Sequence, residues 1–228
     1  MWGAEIISDQ SGMYAGLFTH MDADADKYGA KARKQINKDL YGKMGTEDER
    51  LVWWNPKDAN NKDGGYQQEK FKFSDIQTWM GDYVWMRIEE MYLIGAEAEC
   101  RLGNDAGARE YLMDLMSKRD ASYSCAQKSG TSMGKLTSDY TGSLLEEIII
   151  QRRIELWGEF GRIYDIRRLK QGFKRTAEMG WPTDALLVNR NANDPESYMW
   201  VLTIPQTEFD GNSSLDQTKD QNPVGDTK

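Results

Sequence analysis

LLEEIIIQRRIELWGEFGRIYDIRRLKQG, residues 144–172, is the stretch whose reading decides the fold. At the helical period of about 3.6 residues, Leu145, Ile148, Ile149 and Leu156 fall on one side of it, and Ile150, Ile154 and Trp157 on another. A helix apolar on more than one side is buried between neighbours. Ser143-Leu144-Leu145-Glu146 at its start has the capping-box pattern, in which a serine and a glutamate three residues on satisfy the first free amides. Gly161 breaks or bends the run, and Ile163, Ile166, Leu169 and Phe173 continue it as another helix that ends near Gly172.

Upstream, the spacing predicts a helix from Tyr83 to Leu102, with Val84, Ile88, Met91, Gly95 and Leu102 on the stripe and Tyr92, Leu93, Ala96 and Cys100 widening it. Gly103 supplies a left-handed stop and Asn104 a cap. A second helix follows from Asp105 to about Lys118, with Ala108, Tyr111, Leu112, Leu115 and Met116 on one face. Met86, Met91, Met113 and Met116 read as core residues of these helices. Two helices joined by so short a turn pack antiparallel. The pairs at 83–118 and 143–172 thus read as two copies of one unit, similar to tetratricopeptide (TPR) hairpins. The expected fold is mainly α: TPR-like helical hairpins within 83–175, interrupted by a polar loop at 120–142. A loop-rich region flanks them at 1–82, with short helical pieces around 25–42, and an irregular segment at 176–228 packs on the helices. In that segment Tyr198 to Ile204 is β-prone, and Pro205 can open a helical turn.

Composition removes several functions. The chain has 228 residues and a formal net charge of −8, which argues against a nucleic-acid surface, since phosphate binding needs a concentrated basic face. One histidine, His20, and two cysteines, Cys100 and Cys125, cannot build the usual zinc site and make a histidine-based triad improbable. The cysteines could be bridged or free. No run approaches the roughly 20 apolar residues of a spanning helix. The first residues lack the features of a signal peptide, so that the sequence taken literally would remain in the cytoplasm.

Three blocks nevertheless resemble the SusD/RagB family, the glycan-binding surface lipoproteins of Bacteroidetes: RIEEMYLIGAEAECRLG at 87–103, the 144–172 stretch, and WVLTIPQTEFDGNSSL at 200–215. DER at 48–50, ahead of KFKFSD, matches a weaker feature of the same family. Gln151, where the family usually has glutamate, is a departure. The resemblance implies a SusD-like fold and the C-terminal half of a longer chain. It implies non-enzymatic oligosaccharide or polysaccharide binding for carbohydrate transport and polysaccharide utilization. Nutrient uptake would run through a SusC-like TonB-dependent transporter. It also implies an outer-membrane, outward-facing location through a lipid anchor on the missing N-terminal part. The other reading is a TPR-like docking scaffold with no sugar site of its own.

The charges of the second block admit two interpretations. Glu155 and Glu159 could be imagined as the acid and base of a glycosidase, but neighbours one turn apart on a helix project in parallel, whereas a scissile bond must be flanked from two sides. Arg153, Glu155, Glu159, Arg162, Asp165 and Arg168 are therefore expected to form a structural ion-pair network, with Glu159 to Arg162 and Asp165 to Arg168 as pairs. Asp22, Asp24 and Asp26 begin like a calcium loop, but Lys27 and Arg33 stand where an EF-hand needs glycine and glutamate. A surface calcium site competes there with a solvated acidic turn, and no other cofactor is expected. Ser132-Met133-Gly134-Lys135 matches a Ser-x-x-Lys nucleophile pattern without its companion motif.

Aromatic residues carry the binding expectation. Five of the eight tryptophans and five of the eleven tyrosines precede residue 86. Sugars present apolar C–H faces and polar rims, which flat rings bordered by amides and carboxylates complement. Trp53-Trp54-Asn55, with Asn60, Asn61 and Tyr66 across a turn, has that composition. Trp53, Trp54, Tyr66 and Tyr14 are the candidate ligand-binding residues, with at least one expected to stack on glycan.

Overall fold

The computed structural model describes residues 2–11, 16–25, 28–31, 34–57, 66–159, 161–176 and 194–225. The chain divides into two compact units, one of Met1–Ser132, Thr141–Gly158 and Glu178–Gly180, the other of Met133–Tyr140, Glu159–Ala177 and Trp181–Lys228. The 144–172 stretch is thereby shared between them. The described structure is predominantly helical, with two small two-stranded sheets.

In the first unit, helices α1 (Leu17–Met21), α2 (Tyr28–Lys31) and α3 (Lys38–Tyr41) are short. Strand β1 (Trp2–Ala4) pairs antiparallel with β4 (Tyr83–Met86), and β2 (Trp54–Asn55) with β3 (Gln67–Gln68). Helices α4 (Ile88–Arg101) and α5 (Asp105–Met116) pack along one another, and α6 (Leu144–Glu155) lies against both. Gly103 takes φ +81°, the left-handed stop between α4 and α5, and the Asn104 side chain accepts from Gly107 N at 3.1 Å. All of α6 except Arg153 is buried, as its two apolar sides require. Its cap is a variant of the expected box: Ser143 Oγ accepts from Glu146 N, but the Glu146 carboxylate reaches back past the cap to accept from the amides of Thr141 and Gly142.

The expected helix over 83–102 is corrected in two respects. Tyr83–Met86 is a strand, as its aromatic and β-branched residues favour once β1 offers an edge to pair with. The helix starts at Ile88 and buries Leu93, Ala96, Glu97 and Cys100, whereas Val84, Ile88, Met91 and Leu102 of the expected stripe stay exposed. Met86 and Met91 are likewise exposed rather than core, while Met116 is buried. Cys100 and Cys125 are free and buried, and burial pushes both thiols up.

In the second unit, α7 (Arg162–Leu169) ends on Lys170, which takes the left-handed φ of 50°. A backbone bridge joins Leu136 to Gly172, and Gln171 Nε2 donates to Gly134 O at 3.1 Å. Tyr198–Trp200 forms a 3-10 turn rather than a strand. Among the described residues no strand edge pairs with the extended residues after it; the Gln221 side-chain amide instead accepts from Ile204 N at 2.8 Å and donates to Ile204 O at 3.0 Å. Pro205 opens α8 (Gln206–Gly211) as expected, and α9 (Gln217–Asp220) follows. No helix among the described residues is long and apolar enough to cross a membrane.

Candidate functional site

Two arrangements in the first unit meet at the C-terminal end of α6, and the first is ionic. Asp48 caps a 3-10 turn at Glu49–Trp53 and holds Arg50 through Nε at 3.0 Å and Nη2 at 2.7 Å. The Arg50 guanidinium, wholly buried, continues to Gln151 Oε1 at 2.6 Å and Glu155 Oε2 at 3.3 Å. Arg87 Nη1 donates to Glu155 Oε1 at 2.9 Å. Arg119 closes on the same carboxylate with Nη2 at 2.9 Å and Nε at 3.1 Å, and also reaches Glu89 at 3.0 Å.

Three guanidiniums thus surround one enclosed carboxylate. Burial alone would raise the Glu155 carboxyl, but hydrogen bonds and charge from Arg119, Arg87 and Arg50 outweigh it and hold the group at about 2. The network extends along α6: Gln151 Nε2 and Tyr123 Oη both donate to Glu147 Oε1 at 2.8 Å, and burial beside that carboxylate pushes the Tyr123 phenol up. A carboxylate ionised this deeply, enclosed and already accepting from three arginines, is no general acid or base.

The ionic network around Glu155 is wired differently from the expected one. Glu155 is its hub, but its partners lie far away in sequence rather than within the 144–172 block. Asp165 does pair with Arg168, at 2.8 Å, in the second unit, and Arg153, Glu159 and Arg162 are each engaged as well.

The second arrangement is aromatic. Trp54 sits in a buried cluster with Ile36, Leu40, Ile150 and Ile154, against which Tyr41, Trp53, Tyr66 and Trp157 pack. Trp54 meets Trp157 edge-on at 5.9 Å and Trp53 at 5.9 Å. At 2% exposure it has no free face, which corrects its reading as a stacking platform: it anchors the hairpin instead. Trp53 and Tyr66 are only half-buried. Tyr66 holds φ 62°, unusual for a residue with a side chain. Its N–H donates to Asn55 O at 2.7 Å, its carbonyl accepts from Ile36 N at 3.2 Å, and its ring lies 4.8 Å from Tyr41. Such backbone outliers cluster at ligand sites.

Lys70 joins the two arrangements. Its ammonium is 4.7 Å from the Trp53 ring centroid while it donates to Glu155 O at 2.7 Å and Trp157 O at 3.2 Å, carbonyls at the end of α6. Asn55 is exposed beside these rings. Trp54 Nε1 and Gln67 Oε1, in the paired strands, are buried without a hydrogen-bond partner among the described residues.

Tyr14, Asn60 and Asn61 lie outside the described residues. Asp26 does too, while Asp22 and Asp24 are otherwise engaged. Asp22, buried, accepts from Asp24 N at 2.9 Å and Phe73 N at 3.0 Å, and Asp24 pairs with Lys72 at 2.8 Å. Among the described residues no group of three His, Cys, Asp or Glu is placed to hold a metal ion.

Reading the sequence missed Lys70 and the three arginines around Glu155. It also missed the Trp2–Trp85 pair, 5.0 Å apart and 61% and 56% exposed. Arg50 and Arg87 stand within the quoted blocks, so a signal was present; nothing in a linear sequence says that the blocks converge.

The comparisons with known proteins agree with this architecture. The pattern of the SusD family matches residues 20–223. A SusD-like carbohydrate binding protein from Bacteroides vulgatus superposes with a TM-score of 0.68 at 26% identity, over 94% of this chain and 47% of that one. A SusD superfamily protein from Bacteroides thetaiotaomicron superposes with a TM-score of 0.58 at 25% identity, over 83% and 40%. The chain thus spans less than half the length of these solved relatives. No curated protein matches it.

Proposed function

The chain belongs to the SusD family, and from that premise we propose that it is part of a non-enzymatic glycan-capture protein. The likeness to the Bacteroides vulgatus carbohydrate binding protein over 94% of this chain carries the reading. The rings of Trp53 and Tyr66, bordered by Asn55, supply the platform, and the Glu155 network holds it in place. The enclosure of the Glu155 carboxylate by Arg50, Arg87 and Arg119 supports binding rather than cleavage, since no scissile bond reaches it. In the longer protein the bound oligosaccharide would pass to a SusC-like TonB-dependent transporter at the outer membrane, with a lipid anchor as the tether.

Affinity electrophoresis against a panel of plant and host polysaccharides tests capture. Retardation by at least one, with no release of reducing ends, is the expected result. Migration unaffected by every polysaccharide would refute capture by this chain, and reducing-end release would refute the non-enzymatic part.

A further inference from the structure

The rings around Trp54 are bordered by hydrogen-bond donors that the protein itself does not use. The Tyr41 ring stands 4.8 Å from that of Tyr66, and both residues are half-buried. Among the described residues neither phenol hydroxyl has a hydrogen-bond partner, and neither has Trp53 Nε1 or the side-chain nitrogen of Asn55. The Asn55 side-chain oxygen, the acceptor that would balance them, is already taken by Lys57 N at 2.9 Å. Indole and amide nitrogens can only donate. Burial, and then the Tyr66 phenol beside it, push the Tyr41 phenol up, so that it keeps its proton and remains a donor as well.

The charges on these segments have the same bias. Lys38 and Lys57 are exposed, and among the described residues neither ammonium is paired. Lys38 stands three residues before Tyr41 on α3 and so on the same side of the helix, whereas Asp39, two residues before it, is turned away. The carboxylate of Glu69, whose amide donates to Trp53 O at 2.7 Å, is paired with Lys72. Open donors and ammonium groups therefore gather where open acceptors are scarce.

That imbalance selects among ligands. The hydroxyls of a neutral sugar both donate and accept, so a site built for one needs acceptors as well as donors. A carboxylate or sulfate group only accepts, and its hydrogen bonds with such donors are the stronger ones. The chain as a whole, at −8, repels a polyanion, so that an acidic ligand is held by local donors and not by a general field.

We propose that the Trp53–Tyr66 platform takes an acidic glycan, its sugar bearing a carboxylate or sulfate group, with Tyr41 as a further ligand-binding residue and Lys38 and Lys57 as the charge-pairing groups. The inference rests on the glycan-capture reading and narrows its ligand class. The sugar face lies on a ring, and its anionic group accepts from the phenols and the ammonium groups beside it.

Polymers matched in backbone and different in charge test this, immobilised on beads that deplete the chain from solution. Polygalacturonate is compared with its fully methyl-esterified form for the carboxylate, and dextran sulfate with dextran for the sulfate. At least one charged member should bind about tenfold or more tightly than its neutral partner, and added salt should erode the difference. Lys38→Gln with Lys57→Gln should remove most of that preference at an unchanged Tm. Tyr41→Phe, which keeps the ring and deletes the hydroxyl, should weaken binding of the charged member by about fivefold or more.

Neutral members bound as tightly as charged ones would overturn the acidic class, as would a full preference retained in the double lysine variant. Undiminished binding in Tyr41→Phe would remove Tyr41 from the site. A chain that binds neutral polysaccharides alone overturns this inference and leaves capture standing, whereas a chain that binds neither kind overturns both.

Discussion

Arg50 and Glu155 stand 105 positions apart in the chain, yet the guanidinium lies 3.3 Å from the carboxylate with both side chains fully enclosed. The contact ties the loop that carries Trp53 and Trp54 to the end of α6. Its value is in what its loss would leave behind: three arginines around a missing charge, a larger penalty than the net gain from forming the pair.

Glu155→Gln is therefore expected to destabilise the fold by about 3–5 kcal/mol in chemical denaturation, although shape and volume are conserved. A loss under 1 kcal/mol would show that the arginines find other partners. The pH dependence has a definite sign. The Glu155 carboxyl is held at about 2 against an ordinary 4.5, so its stabilisation is complete above about 4.5 and disappears as pH falls toward 2. The difference corresponds to roughly 3 kcal/mol. Unfolding curves of the native chain across that interval should steepen with acid, and those of Glu155→Gln should be flatter.

The two adjacent tryptophans should separate by phenotype. Trp54→Ala removes a buried anchor and is expected to cost about 3–5 kcal/mol of stability. Trp53→Ala and Tyr66→Ala should leave a folded protein whose retardation by polysaccharide weakens about tenfold or more, in line with a lost stacking face. Unchanged retardation in the Trp53→Ala, Tyr66→Ala double variant would remove these rings from the site.

Lys70→Met keeps the aliphatic stem and deletes the ammonium from the Trp53 ring and from the carbonyls of Glu155 and Trp157. A loss of about 1–2 kcal/mol in thermal denaturation is expected, together with a shift in tryptophan emission. An emission spectrum identical to the parent's would mean that the cation does not bear on Trp53.

Lys170→Gly should stabilise the second unit. Lys170 closes α7 at φ 50°, a conformation glycine adopts without penalty, and its bridge to Glu196 joins side chains 70% and 67% exposed, which contribute little. A gain of about 0.5–1 kcal/mol is expected from calorimetry; a fall in Tm would show the bridge to matter more than the backbone.

What the sequence revealed and what it concealed divide along the range of the forces. The Gly103 stop, the Asn104 and Ser143 caps and the two-sided burial of α6 depend on near neighbours, and periodicity exposes them. The start of α4 escapes a linear reading because Tyr83–Met86 reads equally as helix or strand until β1, some 80 residues earlier, supplies the partner. The stripe through Ile88 and Met91 reads as core because periodicity finds an apolar face without saying whether anything covers it. Trp54 and Trp53 are chemically identical neighbours, and only the three-dimensional cluster around Ile154 separates anchor from platform. The arginines around Glu155 come from three distant segments, a convergence that a linear reading has no means to detect.

Cys100 and Cys125 give the fold a pair of internal reporters. Both sulfurs are shut away from solvent, one on the packed side of α4 and the other in the segment between α5 and α6, and both thiols are held protonated by burial, so neither meets an alkylating reagent in the closed protein. Each becomes reactive only when its own surroundings open. The rates at which the native chain takes up a maleimide at the two positions would therefore time two separate opening events, the hairpin at Cys100 and the long connection at Cys125, with no dye, tag or substitution introduced.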